Sequence, residues 1–323
     1  MLFWIIIFVI SIAVLIKSAD YFTDSAEKIG LFFRLSPFIV GVTIVAIGTS
    51  IPELATSLTA VISGGNTEFV IANVVGSNIA NILLVVGLTS FLGGSIFVRR
   101  NLLSVDLPIL VLATALFSVF VIWDGVLSLY EGIMLFLAFI VYLWYALTHK
   151  PRNDEDIDIK ELKQEVKQEV KKGSLNYKIV ITLFLSVTAI YFSSKYTVNS
   201  VVELSKILNI GLSRLVVFIV AIGTSLPELV VSIVAIKKQQ HAVAVGNVLG
   251  SNVFNLLFIT SVPSFIQPLN VSKDILYIGL PFLGITTVVY IFSIMDKKVT
   301  KYEGVLFLLL YLSFIMTIFS VNL

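Results

Sequence analysis

Two glutamates, Glu53 and Glu228, stand in stretches apolar enough to lie inside a lipid bilayer. Burying a carboxylate there costs about 2.5–3.5 kcal/mol or more, so its presence marks a function. Each glutamate closes the same run: Gly48-Thr49-Ser50-Ile51-Pro52-Glu53 and Gly223-Thr224-Ser225-Leu226-Pro227-Glu228. Proline has no amide hydrogen, and its ring clashes with the carbonyl four residues earlier. A helix is therefore expected to kink or open here, freeing carbonyls from Ala46 onward and, in the second copy, from Ala221 onward. In hydrocarbon such carbonyls need a partner, which a bound cation supplies. Thr49, Ser50, Thr224 and Ser225 add hydroxyl oxygens, and each glutamate lies one turn after its serine on the same face.

A second pair of elements follows. NVVGSNIANIL at 73–83 matches NVLGSNVFNLL at 247–257 in seven of eleven positions. Ser77 and Asn81 are four apart on one helical face, as are Ser251 and Asn255. Gly76 and Gly250 would admit a neighbouring helix at close range. Alone, such a helix reads as a packing seam; its recurrence just after each glutamate motif makes it part of the site. The candidate ligands are then all oxygen: two carboxylates, hydroxyls, two side-chain amides and carbonyls. Hard oxygen ligands suit Ca²⁺, which takes six to eight of them in flexible geometry, and also Na⁺. Mg²⁺ sheds its water reluctantly and suits a dry cage less. Two glutamates carry −2, balanced by one Ca²⁺ or two Na⁺. A site that must be neutral before it moves gives exchange rather than leak.

Helices must hold these residues. The chain has 323 residues, 58% of them hydrophobic and 13% charged, with a mean hydropathy of +1.02. That excess of apolar surface excludes a soluble fold and predicts an integral membrane protein. A net charge of +2 argues against a nucleic-acid partner. The absence of cysteine excludes disulfides and thiolate metal sites. His149 and His241 fall at expected helix ends, against a zinc cage or a histidine relay. The first apolar stretch lacks a basic leader and a small-residue cleavage site, and reads as a retained helix. Apolar runs and turn signals predict ten spans, near 2–22, 38–62, 69–93, 104–122, 126–147, 177–198, 212–236, 241–266, 274–294 and 302–321.

The polar segment 150–174 separates two halves of five spans, 1–149 and 175–323, with the repeated motifs at 41–84 and 216–258. Residues 44–58 and 219–233 agree at eleven of fifteen positions. Their offset of about 175 residues crosses five helices, so the two copies enter the membrane in opposite directions. The expected fold is all-α: ten transmembrane helices in two inverted-topology repeats, with broken helices meeting at the midplane. With the N-terminus outside, 17 of 22 basic residues fall on the inner side. This places both termini outside and loop 150–174 in the cytoplasm, most simply of a cell's plasma membrane. Ile159, Leu162, Val166 and Val170 are at helical spacing in that loop, which reads as a solvated linker or a surface helix. Asp20, Asp24, Asp106 and Asp124 read as boundary residues and Lys17 as a snorkelling cation. Trp123, Tyr130, Trp144, Tyr145 and Tyr177 form an aromatic belt.

GTSxPE in both halves, each followed by GSNxxN, closely resembles the paired alpha repeats of the cation/Ca²⁺ exchanger superfamily, in its ten-helix prokaryotic-type Na⁺/Ca²⁺ exchanger branch. The resemblance covers nearly the whole chain. It implies one Ca²⁺ site flanked by Na⁺ sites, with access alternating as the first and sixth helices slide against the other eight. Carried over by motif, Glu53, Glu228, Thr49 and Thr224 would surround Ca²⁺. Ser50, Ser225, Ser77, Ser251, Ala46 and Ala221 would contribute to Na⁺ sites. Asn81 and Asn255 are both amides where some microbial exchangers and the K⁺-dependent branch have aspartate at the second, which argues against K⁺ cotransport. With only two acidic ligands, three Na⁺ would leave a charge of +1, which fits the electrogenic 3:1 stoichiometry that the resemblance implies.

The implied activity is secondary antiport that expels Ca²⁺ using the Na⁺ gradient. Its partners would be the two ions and the lipid bilayer, with a functional monomer, and with the ions as cargo rather than cofactors. The rivals are a K⁺-dependent or H⁺-coupled Ca²⁺ antiporter and, further off, a cation channel. Proton-coupled relatives usually place a glutamate shortly after GN, where Val248-Leu249 follow Asn247 here. No Ser–His, paired-aspartate or HExxH arrangement lies in the spans, so the chain is not expected to be an enzyme.

Overall fold

The apolar runs become helices of membrane length. A computed structural model of the chain describes residues 1–33, 35–64, 67–98, 102, 105–148, 177–207 and 223–320. Among these residues nine helices are long and apolar enough to span a bilayer. They are α1 (Leu2–Phe32), α2 (its second part Ile51–Gly64), α3 (Thr67–Gly93), α4 (Asp106–Asp124), α5 (Leu129–Thr148), α6 (Tyr177–Ile207), α8 (His241–Ser264), α9 (Ile275–Met295) and α10 (Lys301–Ser320). The seventh expected span, α7, is described from Gly223, with its regular part at Leu226–Lys237. Its earlier residues 212–222, which include Ala221, lie outside the described residues, as do loop 150–174, Arg34, Arg99, Arg100, His149 and Arg214. The protein is an all-α membrane protein.

Both motif-bearing helices break where the prolines require it. Helix α2 runs over 37–49, turns at Ser50 with φ −88° and ψ 8°, and resumes at Ile51. Ser225 has φ −84° and ψ 2° just before α7, so the two breaks share one geometry. Helices α3 and α8 carry a π-helical turn at matching places, Asn81–Val86 and Asn255–Ile259. Such turns place an extra residue in the helix and recur at functional sites.

Helix α8 is the centre of the fold, 89% buried over its apolar window, against 22% for α1 and α6. It reaches that position through glycine. A methyl group at Gly246 would meet the Phe38 carbonyl at 2.5 Å, and one at Gly250 would meet Ala46 Cβ at 2.7 Å and collide with Val42. Gly250 therefore does what its repeat position predicts, letting α8 lie directly on α2. Gly48 does the same for α1, where a methyl would reach the Phe22 ring at 2.6 Å, and Gly223 does so for α6 at Val198.

Two short ribbons tie the loops. β1 (Ile96–Phe97) pairs antiparallel with β4 (Lys298–Val299), and β2 (Val126–Leu127) with β3 (Leu269–Asn270). The repeat offset carries β1 onto β3 and β2 onto β4, so the pseudo-two-fold exchanges the ribbons. Each ribbon joins two loops that the basic-residue count assigns to the same side. A third repeated sequence, Ser128-Leu129-Tyr130-Glu131-Gly132 and Thr300-Lys301-Tyr302-Glu303-Gly304, starts α5 and α10. Glu131 Oε2 accepts from the Ser128 amide at 2.7 Å and hydroxyl at 2.8 Å, and Glu303 Oε2 accepts from both Thr300 groups at 2.7 Å. These are capping boxes. The glycine after each lets α5 close on Ser264 of α8 and α10 on Ser90 of α3.

Helices α1 and α6 are longer than hydropathy predicts. Each has 31 residues, about 46 Å at 1.5 Å per residue, against a bilayer core of about 30 Å. Polar residues near each end hide the continuation from a hydropathy window, and in α1 they are paired. Lys238 Nζ lies 2.7 Å from Asp20 and 2.6 Å from Asp24, and the Gln240 amide donates to Glu27. Asp20 and Asp24 thus anchor α1 to the α7–α8 turn rather than simply facing solvent. Burial opposes the charge on Lys238, but its hydrogen bonds to the two aspartates and their charges together outweigh that and hold its pKa above the ordinary lysine value. Lys17 pairs with Asp20 at 3.2 Å and covers the Tyr21 ring. Trp123, Tyr130, Trp144 and Tyr177 are exposed at helix ends as a belt requires, whereas Tyr145 is half-buried.

A Gly250→Leu protein is expected to lose its monodisperse, folded population, since overpacking a tight helix contact costs about 1–3 kcal/mol or more. Gly284→Ala, where nothing lies within 4 Å of the added methyl, should unfold at the wild-type temperature. Wild-type thermal unfolding of Gly250→Leu would refute the close α2–α8 contact.

Candidate cation site

Breaking α2 at Ser50 and α7 at Ser225 turns the proline and glutamate of each resumed helix into the protein interior. Glu53 is 1% and Glu228 0% exposed. Ser50 Oγ donates to Glu228 Oε1 at 2.9 Å, joining the first-half break to the second-half carboxylate. Thr49 and Ser251 also lie beside Glu228, and Thr224 lies beside Glu53, whose charge is close enough to Glu228 to repel it. Ser77 Oγ is 3.3 Å from Thr224 Oγ1. Asn81 and Asn255 are fully buried at the start of their π turns.

The arrangement leaves many polar atoms without hydrogen-bond partners among the described residues. They include both oxygens of Glu53, Oε2 of Glu228, Oγ of Ser225 and Ser251, and both amide atoms of Asn81 and Asn255. Buried polar groups are nearly always paired, so a cluster of orphans in the sequence-predicted set is informative. Among the described residues the ion pairs belong to Asp20 and Asp24, and none reaches Glu53 or Glu228. Nor is there a group of three or more His, Cys, Asp or Glu side chains there. A cation held here would therefore be met by two carboxylates and neutral oxygens, the donor set of a hard ion.

The expected freeing of carbonyls holds in part. Pro52 and Pro227 offer no N–H to the Gly48 and Gly223 carbonyls, and the Ser194 hydroxyl of α6 fills the second gap at 2.9 Å. The Ala46 carbonyl, expected to be free, accepts from the Ser50 amide at 3.1 Å and the Thr49 hydroxyl at 3.2 Å. The break falls one residue too late to release it.

Four residues beside the site escaped sequence reasoning. Asn247 Oδ1 accepts from Thr49 Oγ1 at 3.2 Å, while its Nδ2 donates to Ser232 Oγ at 3.0 Å. Under the repeat, Asn73 Oδ1 accepts from Thr224 Oγ1 at 3.4 Å and its Nδ2 donates to Ser57 Oγ at 3.3 Å. All four are identical between the two copies, and that identity was the available signal. A cavity of about 580 Å³ runs from the surface between α2 and α6 to Thr224, past Thr56, Thr59, Ser194 and Lys195.

An all-α membrane bundle with buried carboxylates at two matching helix breaks has the build of a secondary transporter. The chain matches the family model of the sodium/calcium exchanger protein over residues 3–148 and 178–320, and it belongs to that family. It is 30% identical to the sodium/calcium exchanger MaX1 of Methanosarcina acetivorans, over 98% of each chain. It is 35% identical to the putative antiporter CaxA of Alkalimonas amylolytica, over 80% of this chain and 79% of that one. The fold superposes on a structure of the sodium-calcium exchanger NCX_Mj soaked with Na⁺ and Sr²⁺, with a TM-score of 0.80, 26% identity and 99% of each chain covered.

In ion-free solution, with a chelator and choline in place of Na⁺, Glu53→Gln and Glu228→Gln should each raise the unfolding temperature by about 3 °C or more. A glutamine needs neither an uncompensated buried charge nor an acquired proton, one of which each ion-free glutamate must carry. Lowered unfolding temperatures in both variants would show that the carboxylates are compensated within the protein.

Proposed function

We propose that this chain is a Na⁺/Ca²⁺ antiporter that uses the inward Na⁺ gradient to expel Ca²⁺ by alternating access. One observation carries the reading: two fully buried carboxylates, Glu53 and Glu228, lie at matching helix breaks, and among the described residues no ion pair reaches either. Such a pair needs about two positive charges from outside the protein. One Ca²⁺ supplies them, or two Na⁺, and the two loads exclude each other. Glu53, Glu228, Thr49 and Thr224 surround Ca²⁺. Ser50, Ser225, Ser77, Ser251 and the carbonyls of Ala46 and Ala221 serve Na⁺. Asn81 and Asn255 contribute neutral oxygens, so a third Na⁺ makes exchange electrogenic.

In this reading α1 and α6, which pack along each other, move against the remaining helices. Their contacts at Gly48 and Gly223 place that motion directly on the two breaks. The cavity reaching Thr224 is the open path in this state. On the side related by the repeat, Ala19, Phe22 and Thr23 of α1 are at most 1% exposed and the Phe22 ring covers Gly48. The repeats are 1–149 and 175–323, joined by a cytoplasmic linker at 150–174, with both termini outside the plasma membrane and a monomer as the working unit. On that orientation the open path faces outward.

The test is calcium-45 uptake into proteoliposomes loaded with Na⁺, at constant pH and without K⁺. Uptake should vanish when choline replaces internal Na⁺, and should fall to the protein-free background in Glu53→Gln and Glu228→Gln. Uptake restored only by K⁺, or driven only by a pH gradient, would replace this reading with one of its rivals. Full activity in either folded glutamine variant would overturn the site.

A further inference from the structure

We propose that Asn247 and Asn73 are positioning residues that make Thr49 and Thr224 cation ligands by fixing where each hydroxyl sends its hydrogen. The proposal rests on the assignment of those threonines as ligands given above. A hydroxyl has one hydrogen and two lone pairs. To bind a cation it must aim a lone pair at the ion and its hydrogen elsewhere. Thr49 Oγ1 has two acceptors at equal range, the Ala46 carbonyl at 3.2 Å and Asn247 Oδ1 at 3.2 Å. The first belongs to its own helix and would satisfy the hydroxyl without any help from α8. The amide is therefore not needed to pair the hydroxyl; it changes the direction of the bond.

The amide can do this because its own orientation is settled. Asn247 is fully buried, and its Nδ2 faces Ser232 Oγ at 3.0 Å and the Glu228 carbonyl at 3.4 Å. Turned over, it would set oxygen against that carbonyl and a donor against Thr49. The Glu228 carbonyl, which can only accept, thus selects the rotamer that presents Oδ1 to Thr49. By drawing the hydrogen to itself, the amide also relieves the Ala46 carbonyl of one of its two donors. Loss of Asn247 then weakens a Ca²⁺ ligand and a Na⁺ ligand together.

Asn73 repeats the arrangement, with Thr224 at 3.4 Å and Ser57 at 3.3 Å. In both cases the amide lies in one half of the chain and the threonine in the other: α8 orients α2, and α3 orients α7. A packing role for one polar residue would not require this crossed arrangement twice.

The experiment measures KM for Ca²⁺ and kcat of Na⁺-driven uptake in proteoliposomes, for Asn247→Leu, Ser232→Ala, Thr49→Val and the double variants Asn247→Leu/Thr49→Val and Ser232→Ala/Thr49→Val. Asn247→Leu should raise KM about tenfold and Ser232→Ala about threefold, with smaller changes in kcat. Neither should raise KM further once Thr49 is valine. If Asn247→Leu does not fold, Ser232→Ala and its double variant carry the same test. Independent, multiplying effects, or unchanged KM in folded Asn247→Leu or Ser232→Ala, would overturn the proposal while leaving the antiport reading intact. A wild-type protein without Na⁺-driven uptake defeats the antiport reading, and Thr49→Val at wild-type KM defeats the ligand assignment; either takes the brace with it.

Discussion

The structure depends on two buried carboxylates that no ion pair among the described residues neutralises. Isolated charge in a low-dielectric interior is among the most costly things a fold can contain. Here Glu53 and Glu228 are fully buried, near one another and remote from the ion pairs of Asp20 and Asp24. The Ser50 hydroxyl donates to Glu228, and both oxygens of Glu53 lack a hydrogen-bond partner among the described residues. Among the described residues no ion pair reaches either carboxylate, and the side chains bonded across the two breaks are hydroxyls and amides.

Tandem sequence supplies the precision that such a site needs. Each half contributes a proline-broken helix, a glycine that admits a long helix at the break, and a π turn beginning at asparagine. Hydrogen bonds then join the two halves: Ser50 to Glu228, Thr49 to Asn247, Thr224 to Asn73 and Ser77. Glycines 246 and 250 bring α8 against α2 closely enough for side chains as short as serine and threonine to span the gap. The ribbons and capping boxes hold the outer helices in the same two-fold relation.

Much of this was legible in the residues. Two glutamates in apolar sequence, preceded by the same Thr-Ser-x-Pro, located the two buried carboxylates and the helix breaks, which fall at the serine two residues before each proline. Periods of about twenty apolar residues located the helices. Hydropathy failed at the ends of α1 and α6, because it scores Asp20 and Asp24 as solvated, whereas Lys238 holds them from a helix more than 200 residues away. The Ala46 carbonyl was misjudged because proline forbids a bond from its own nitrogen only, and Ser50 still supplies one. Asn73 and Asn247 passed unnoticed since a helical asparagine shows its partner only once the opposing half is in place. The Tyr-Glu-Gly starts of α5 and α10 share too few residues to register beside the longer repeats.

The two halves match in sequence but not in hydrogen bonding, and the mismatch is physically instructive. Ser50 bonds to Glu228, whereas Ser225 and Glu53, its counterparts, have no partner among the described residues. Equal sequences placed in a two-fold frame have no intrinsic reason to differ. A difference arises when one arrangement of the pair is incompatible with the same arrangement in its mate, so that the molecule must choose. The cavity beside Thr224 and the sealed surface at Phe22 make the same choice at larger scale. Exchanging the roles of the halves would form the Ser225–Glu53 bond, release Ser50 and move the opening to the other face. Under the proposed exchange this second state is nearly equal in energy to the first because it is built from the same residues. In that proposal the ion load would neutralise both carboxylates and so remove the charge that would otherwise bar passage between the two states.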